Sequence, residues 1–125
     1  QLWRKLIACL DHLRQNGCMV ILIAHQKIER FESPDVDSYD RYTIALHKGA
    51  SALVMEWSDE ILFANFKVEA KETGDGLHKR RKGVGGERYI LTRNKPTAVA
   101  KSRVVMRQEI DMQFSTYLKA LEGND

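Results

Sequence analysis

Apolar positions fall into blocks whose spacing predicts distinct elements. Leu2, Leu6, Ile7, Leu10 and Leu13 recur at helical intervals, with Arg4, Lys5, Asp11, Arg14 and Gln15 between them, so the first predicted element is an amphipathic helix. Asn16-Gly17 supplies its stop, because glycine takes up the left-handed cap conformation without a Cβ clash. Val20-Ile21-Leu22-Ile23-Ala24 is apolar throughout and rich in β-branched residues, which suits a strand covered on both faces in a parallel sheet. Its polar end, His25-Gln26, lies where open α/β sheets bind ligands, beyond the carboxyl ends of the strands. A buried strand whose last polar residues simply begin a loop fits residues 20–26 as well.

Residues 29–42 show no strand or helix period and contain Pro34, so they predict a long loop, with a short strand at 42–46. His47–Trp57 carries small residues first and then a stripe of Ala50, Leu53, Val54 and Trp57, the pattern of a second helix. Residues 61–66 and 88–92 read as strands joined in a hairpin through 71–87, a basic stretch in which 71–86 hold five of the eight glycines and which predicts a flexible loop. Residues 99–105 alternate as a final strand, and Phe114, Tyr117, Leu118 and Leu121 predict a closing helix that ends at Gly123. The expected architecture is one α/β domain over 1–125, with a mixed sheet containing parallel strands, a C-terminal β-hairpin and about three helices.

Topology adds an expectation. A helix, a glycine stop and a buried strand in close succession form the second half of a βαβ crossover, so a parallel strand is expected ahead of Gln1. The helical pattern also begins at once, without Met or a capping residue, as in a segment cut from a longer chain.

Composition narrows the class. The chain has 125 residues, 43% hydrophobic and 30% charged, which is an ordinary globular balance. A net charge of +3 permits a nucleic-acid partner without arguing for one, since only clustering of the charge does that. The sequence has neither an apolar run long enough to span a bilayer nor a signal-peptide pattern, so a cytoplasmic location and no membrane partner are expected. Cys9 and Cys18 lack CxxC spacing and a nearby His, and are expected as packed, reduced thiols with no metal site.

Candidate chemistry is defined partly by what is missing. GxxxxGK[ST], whose amides cradle phosphates, does not occur, and Gly83-Val84-Gly85-Gly86 lacks both the lysine and a following helix. Asp59 and Glu60 precede a strand where a Mg²⁺-binding carboxylate would end one. Four histidines are present, His12, His25, His47 and His78, but no serine sits in a nucleophile-elbow context. On its residues alone the chain is expected neither to hydrolyse ATP nor to act as a hydrolase of that kind.

In order along the chain, Trp3-Arg4-Lys5-Leu6, Val20 to His25, Asp40-Arg41-Tyr42, Leu46-His47-Lys48, Ala50-Ser51-Ala52-Leu53, Trp57-Ser58-Asp59, Gly83 to Arg88 and Ala100-Lys101-Ser102-Arg103 form a recognisable series. Over residues 2–121 this series resembles the C-terminal half of the RecA-like ATPase core, most closely phage-type nucleotide-binding proteins related to single-strand annealing and recombination functions. The resemblance implies a P-loop and an acidic strand upstream, ATP and Mg²⁺ as cofactors of the intact protein, and none bound to this segment alone.

The resemblance also implies roles. His25 takes the place of the γ-phosphate sensor, with Gln26 beside it; a neutral imidazole can donate from one ring nitrogen and brings a pH dependence. Residues 27–41 take the place of a DNA-facing loop with Lys27 and Arg30 as DNA-binding cations, and Phe31, Tyr39 and the following Tyr42 can stack on bases, although the same rings can equally pack the loop on its own domain. Acidic residues outnumber cations in that loop. Lys79, Arg80, Arg81 and Lys82 can follow a single-stranded backbone, or simply be solvated. Lys101 and Arg103 resemble cations that reach a neighbouring subunit's nucleotide, though the glycine usual behind them is replaced by Val104-Val105. Arg93 and Lys95 are the competing pair, and edge cations that deter strand pairing remain open for both.

The expected function is therefore the C-terminal part of an ATP-binding, RecA-like phage or prophage protein acting on single-stranded DNA in recombination or annealing, self-associating and inactive as this fragment. The alternative is a stand-alone nucleic-acid-binding or interaction module without nucleotide chemistry.

Overall fold

The computed structural model describes residues 1–73 and 80–123. Its elements are helix α1 (Leu2–Gln15), strands β1 (Gln26–Phe31) and β2 (Tyr39–Ile44), helix α2 (Lys48–Trp57), strands β3 (Glu60–Ile61), β4 (Phe63–Thr73), β5 (Arg80–Leu91), β6 (Lys101–Ser102) and β7 (Glu109–Asp111), and helix α3 (Phe114–Leu121). The helices fall where the 3.6-residue spacing of apolar positions puts them, and the long hairpin pairs β4 with β5.

The sheets correct the expected parallel arrangement. β1 pairs β2, β3 pairs β6, and β5 lies between β4 and β7, all antiparallel. Among the described residues the parallel contact is an isolated bridge between Tyr42 and Ala98. The physical reason lies partly in the connections: short links join antiparallel neighbours, whereas parallel neighbours need a crossover of about a dozen residues or more. Residues 32–38 link β1 to β2 and leave no room for one.

Val20 to Ala24 is not a paired strand. Ile21 and Ile23 are 73% and 97% exposed, and no described strand lies beside them, so their β-propensity finds no ladder. Residues 27–41, expected as a loop, instead form most of the β1–β2 hairpin. Cross-strand pairs hold it: Phe31 opposite Tyr39 with ring centroids 5.2 Å apart, and Arg30 opposite Asp40 with an ion pair at 3.3 Å. In the stretch expected as a flexible loop at 71–87, residues 71–73 and 80–87 belong to β4 and β5. The final strand is also shorter than expected, two residues of β6, and β7 was not anticipated.

The core gathers around the end of β5. Leu91, Ala98 and Ala100 are buried, with Tyr42, Phe63 and Tyr89 packed against them. Thr92 is fully buried, and its hydroxyl donates to the Arg107 carbonyl at 2.6 Å while its amide donates to Gln108 O at 2.9 Å. At the bulge in β4 between Phe66 and Val68, Gly86 is required by close approach, since a Cβ there would lie 2.6 Å from the Lys67 carbonyl oxygen.

α1 buries no residue and meets the end of α2 through polar groups: Trp57 Nε1 donates to Asp11 at 3.2 Å and the Arg14 guanidinium lies over the indole. α3 is latched to β3 by the Tyr117 hydroxyl donating to Glu60, whose other oxygen accepts from Ser102 Oγ at 3.1 Å. Burial, and then that hydrogen bond, push the Tyr117 phenol well above its usual range. Cys9 and Cys18 are free thiols, as expected, but exposed rather than packed, since α1 buries none of its residues.

Candidate functional site

His25 sits at the foot of the β1–β2 hairpin. Its carbonyl accepts from Ala45 N at 2.8 Å, closing the hairpin base, while its imidazole and the neighbouring Gln26 side chain are exposed. The backbone at His25 is therefore fixed and the ring is left available.

Strand alternation puts Lys27, Glu29 and Phe31 of β1 on one face with Thr43, Arg41 and Tyr39 opposite them on β2. That face and the first turns of α2 enclose a cleft of about 370 Å³, with Lys48, Ser51, Ala52 and Met55 on the helix side. Lys27, Arg41 and Lys48 face it against Glu29 and Glu32, while the Arg30 guanidinium turns to the other face of β1, to Asp40 and Ser38. Lys27 Nζ donates to Leu46 O at 3.2 Å. The Arg41 guanidinium lies 5.5 Å from the Phe31 ring centre, within cation–π reach, and donates from Nη2 to Asn94 Oδ1 at 3.2 Å. Arg41 Nε is buried without a hydrogen-bond partner. His47 caps the start of α2 by accepting from Gly49 N through Nδ1 at 3.3 Å.

The hairpin leans on the turn that carries the second set of candidate cations. Tyr42 N donates to Thr97 O at 2.8 Å and Val99 N to Tyr42 O at 3.1 Å. In that turn Arg93 is exposed, while Lys95 pairs with Glu109 at 3.3 Å. Glu109 also receives Lys67 at 2.9 Å. Its carboxyl is held below the usual carboxylate range, first by the hydrogen bond from Lys67, and Lys67 is raised in return.

Lys101 and Arg103 are placed differently from one another. Lys101 Nζ donates to the carbonyls of Met55, Glu56 and Ser58 at 3.0, 3.2 and 2.6 Å, so it closes the C-terminal end of α2. Arg103 is exposed and pairs with Asp59 at 3.1 Å, a carboxylate that Arg14 also approaches at 3.3 Å. Of the remaining candidates, Lys79 lies outside the described residues, and Arg80, Arg81 and Lys82 are described as backbone positions on β5, opposite Thr73, Glu72 and Lys71.

The structure thus brings Lys27 and Phe31 to one cleft, with Tyr39 against Phe31 and the Arg30 side chain on the other face of β1, and connects this hairpin to the Arg93–Lys95 turn. Sequence reasoning assigned no role to Lys48 or Asn94, which the structure places at these junctions; the small-residue start of α2 was the available signal for the first.

Three helices and small antiparallel sheets among the described residues define an α/β protein. Comparison with known families is more specific: the AAA domain matches residues 1–104, and the chain belongs to that family of P-loop ATPases. Neither a curated protein nor a solved structure matches it. Membership makes the class of activity that of a nucleotide-binding ATPase, with nucleotide and Mg²⁺ used by the intact protein.

Among the described residues no group of three or more His, Cys, Asp or Glu converges as a metal site, and the sequence contains no GxxxxGK[ST] loop. They do not form a Mg²⁺-nucleotide site on their own. No helix among the described residues is long and apolar enough to cross a membrane.

Proposed function

We propose that this chain is the nucleotide-responsive part of an AAA-type ATPase that acts on single-stranded DNA in recombination or annealing, in a protein of phage or prophage type. ATP and Mg²⁺ are held by residues outside this sequence. His25, with Gln26 beside it, senses the γ-phosphate, and Lys101 with Arg103, or Arg93 with Lys95, serves the nucleotide of a neighbouring subunit, so the working form is self-associated.

One observation carries this reading. The exposed imidazole of His25 stands at the foot of a hairpin whose face, with α2, makes a cleft lined by Lys27, Arg41 and Lys48 and floored in part by Phe31. Cations beside an aromatic ring suit a phosphate backbone with unpaired bases, since stacking on an aromatic side chain contributes about 1–3 kcal/mol per base. The tip beyond the cleft carries Asp35 and Asp37, which disfavour phosphates there.

The test is ATP turnover by the intact protein with and without an oligodeoxythymidylate, together with oligonucleotide affinity. His25→Ala is expected to lose most of the DNA-dependent turnover while retaining ATP binding; unchanged turnover removes the sensor assignment. Lys27→Ala with Lys48→Ala is expected to weaken oligonucleotide binding and flatten its salt dependence. Salt-dependent binding by the 125-residue chain alone, indifferent to ATP, would instead favour a stand-alone nucleic-acid module.

A further inference from the structure

The side chain of Asn94 has one carbonyl oxygen and two donors bonded to it. Oδ1 accepts from Ala100 N at 2.9 Å and from Arg41 Nη2 at 3.2 Å, and the Asn94 backbone carbonyl accepts from Gln108 Nε2 at 3.1 Å. An amide oxygen has two lone-pair directions, so both are engaged by its own fold. The two donors belong to different functional segments. Ala100 directly precedes Lys101 and the β6 strand, whereas Arg41 is on the cleft face of β2, its guanidinium over Phe31. Asn94 itself separates Arg93 from Lys95.

A continuous set of contacts therefore runs from the cleft to both candidate cation pairs, from Phe31 to Arg41, to Asn94, and on to Ala100 and Lys101. Its cleft end is poised to change. Arg41 Nε is buried without a partner, and a ligand that displaces the Phe31 ring removes the surface on which the guanidinium rests. Its far end is firm, because Ala98 and Ala100 are buried at 3% exposure and the 95–98 turn is closed by hydrogen bonds in both directions.

We infer that Asn94 is a positioning residue that couples occupancy of the hairpin cleft to the placement of the 93–95 and 101–103 cations. The inference rests on the proposed function, in which the cleft takes single-stranded DNA and those cations serve nucleotide. Asn94 touches neither ligand. It acts by holding Arg41 and the Ala100 amide on one oxygen, so that movement of the first is felt by the second.

The experiment uses the intact protein and reads the ratio of ATP turnover with saturating oligodeoxythymidylate to turnover without it, alongside oligonucleotide Kd and thermal unfolding. Asn94→Ala is expected to lower the ratio about tenfold, the scale of losing a hydrogen bond to a charged donor, with Kd changed by less than about twofold. Asn94→Asp keeps both acceptor directions and is expected to restore the ratio. Combining Asn94→Ala with Arg41→Ala is expected to cost no more than Arg41→Ala alone, as for two ends of one contact.

Wild-type protein whose turnover ignores the oligonucleotide would overturn the proposed function and this inference with it. Normal stimulation in wild type and in Asn94→Ala alike would overturn the inference alone. Equal loss in Asn94→Ala and Asn94→Asp, with a lowered unfolding temperature in both, would overturn it by making Asn94 merely structural.

Discussion

Residues 19–24 and residues 89–100 contrast in a way that composition does not foretell. The first stretch, Met-Val-Ile-Leu-Ile-Ala, is the most apolar in the chain, yet Ile23 is 97% exposed. The second is interrupted by Arg93, Asn94, Lys95 and Pro96, yet Leu91 is 1% exposed and Ala98 and Ala100 hardly more. Hydrophobicity supplies the drive to bury; neighbours decide whether burial happens. Leu91 has strands on both sides of β5 and the Tyr42, Phe63 and Tyr89 rings against its cluster, whereas no described strand flanks 19–24.

Substitution can break this contrast, and the largest expected effect is at Leu91. Leu91→Ala should cost about 3 kcal/mol in urea unfolding, from lost transfer energy and a residual cavity, while Ile23→Ala should stay within about 0.5 kcal/mol. Equal costs at the two positions would mean that the exposed run is packed in solution.

The next effect is polar. Thr92→Val keeps the shape but leaves the Arg107 and Gln108 carbonyls without the hydroxyl they share, and should cost about 1–2 kcal/mol by the same measurement. A neutral result would show that apolar packing alone holds this region.

The smallest effect is electrostatic. The Glu109 carboxyl is depressed in the folded chain, so it contributes stability above the ordinary carboxylate range, and that contribution is lost as pH falls through the lower, folded value. Both partners are partly solvated, so the acid-side loss in unfolding midpoint should be small, and Glu109→Gln should abolish it. An undiminished acid slope in Glu109→Gln would assign it to other carboxylates.

What was legible in the sequence follows the same division. α1, α2 and α3 announce themselves because helical spacing is local, and the β4–β5 hairpin because two apolar runs flank a glycine-rich connection. The β1–β2 hairpin was hidden because charged and polar residues occur on both faces; its stabilising pairs, Arg30 with Asp40 and Phe31 with Tyr39, are visible only across the turn. The parallel sheet was expected from Val20 to Ala24, a run whose pattern specifies burial but not a partner. For the candidate site, Lys27, Arg30 and Phe31 could be picked out by residue type, but Asn94 looks like an ordinary turn residue until Arg41 and Ala100 are seen on the same oxygen.

Lys101 has a consequence for anyone ranking alleles of this gene. Its ammonium plugs three carbonyls at the end of α2, so losing it frays a helix as well as deleting a charge, and a heat-sensitive phenotype at this codon reports on folding. Arg103, two residues on and held by a single exposed carboxylate, is the cleaner genetic probe of what a cation there does.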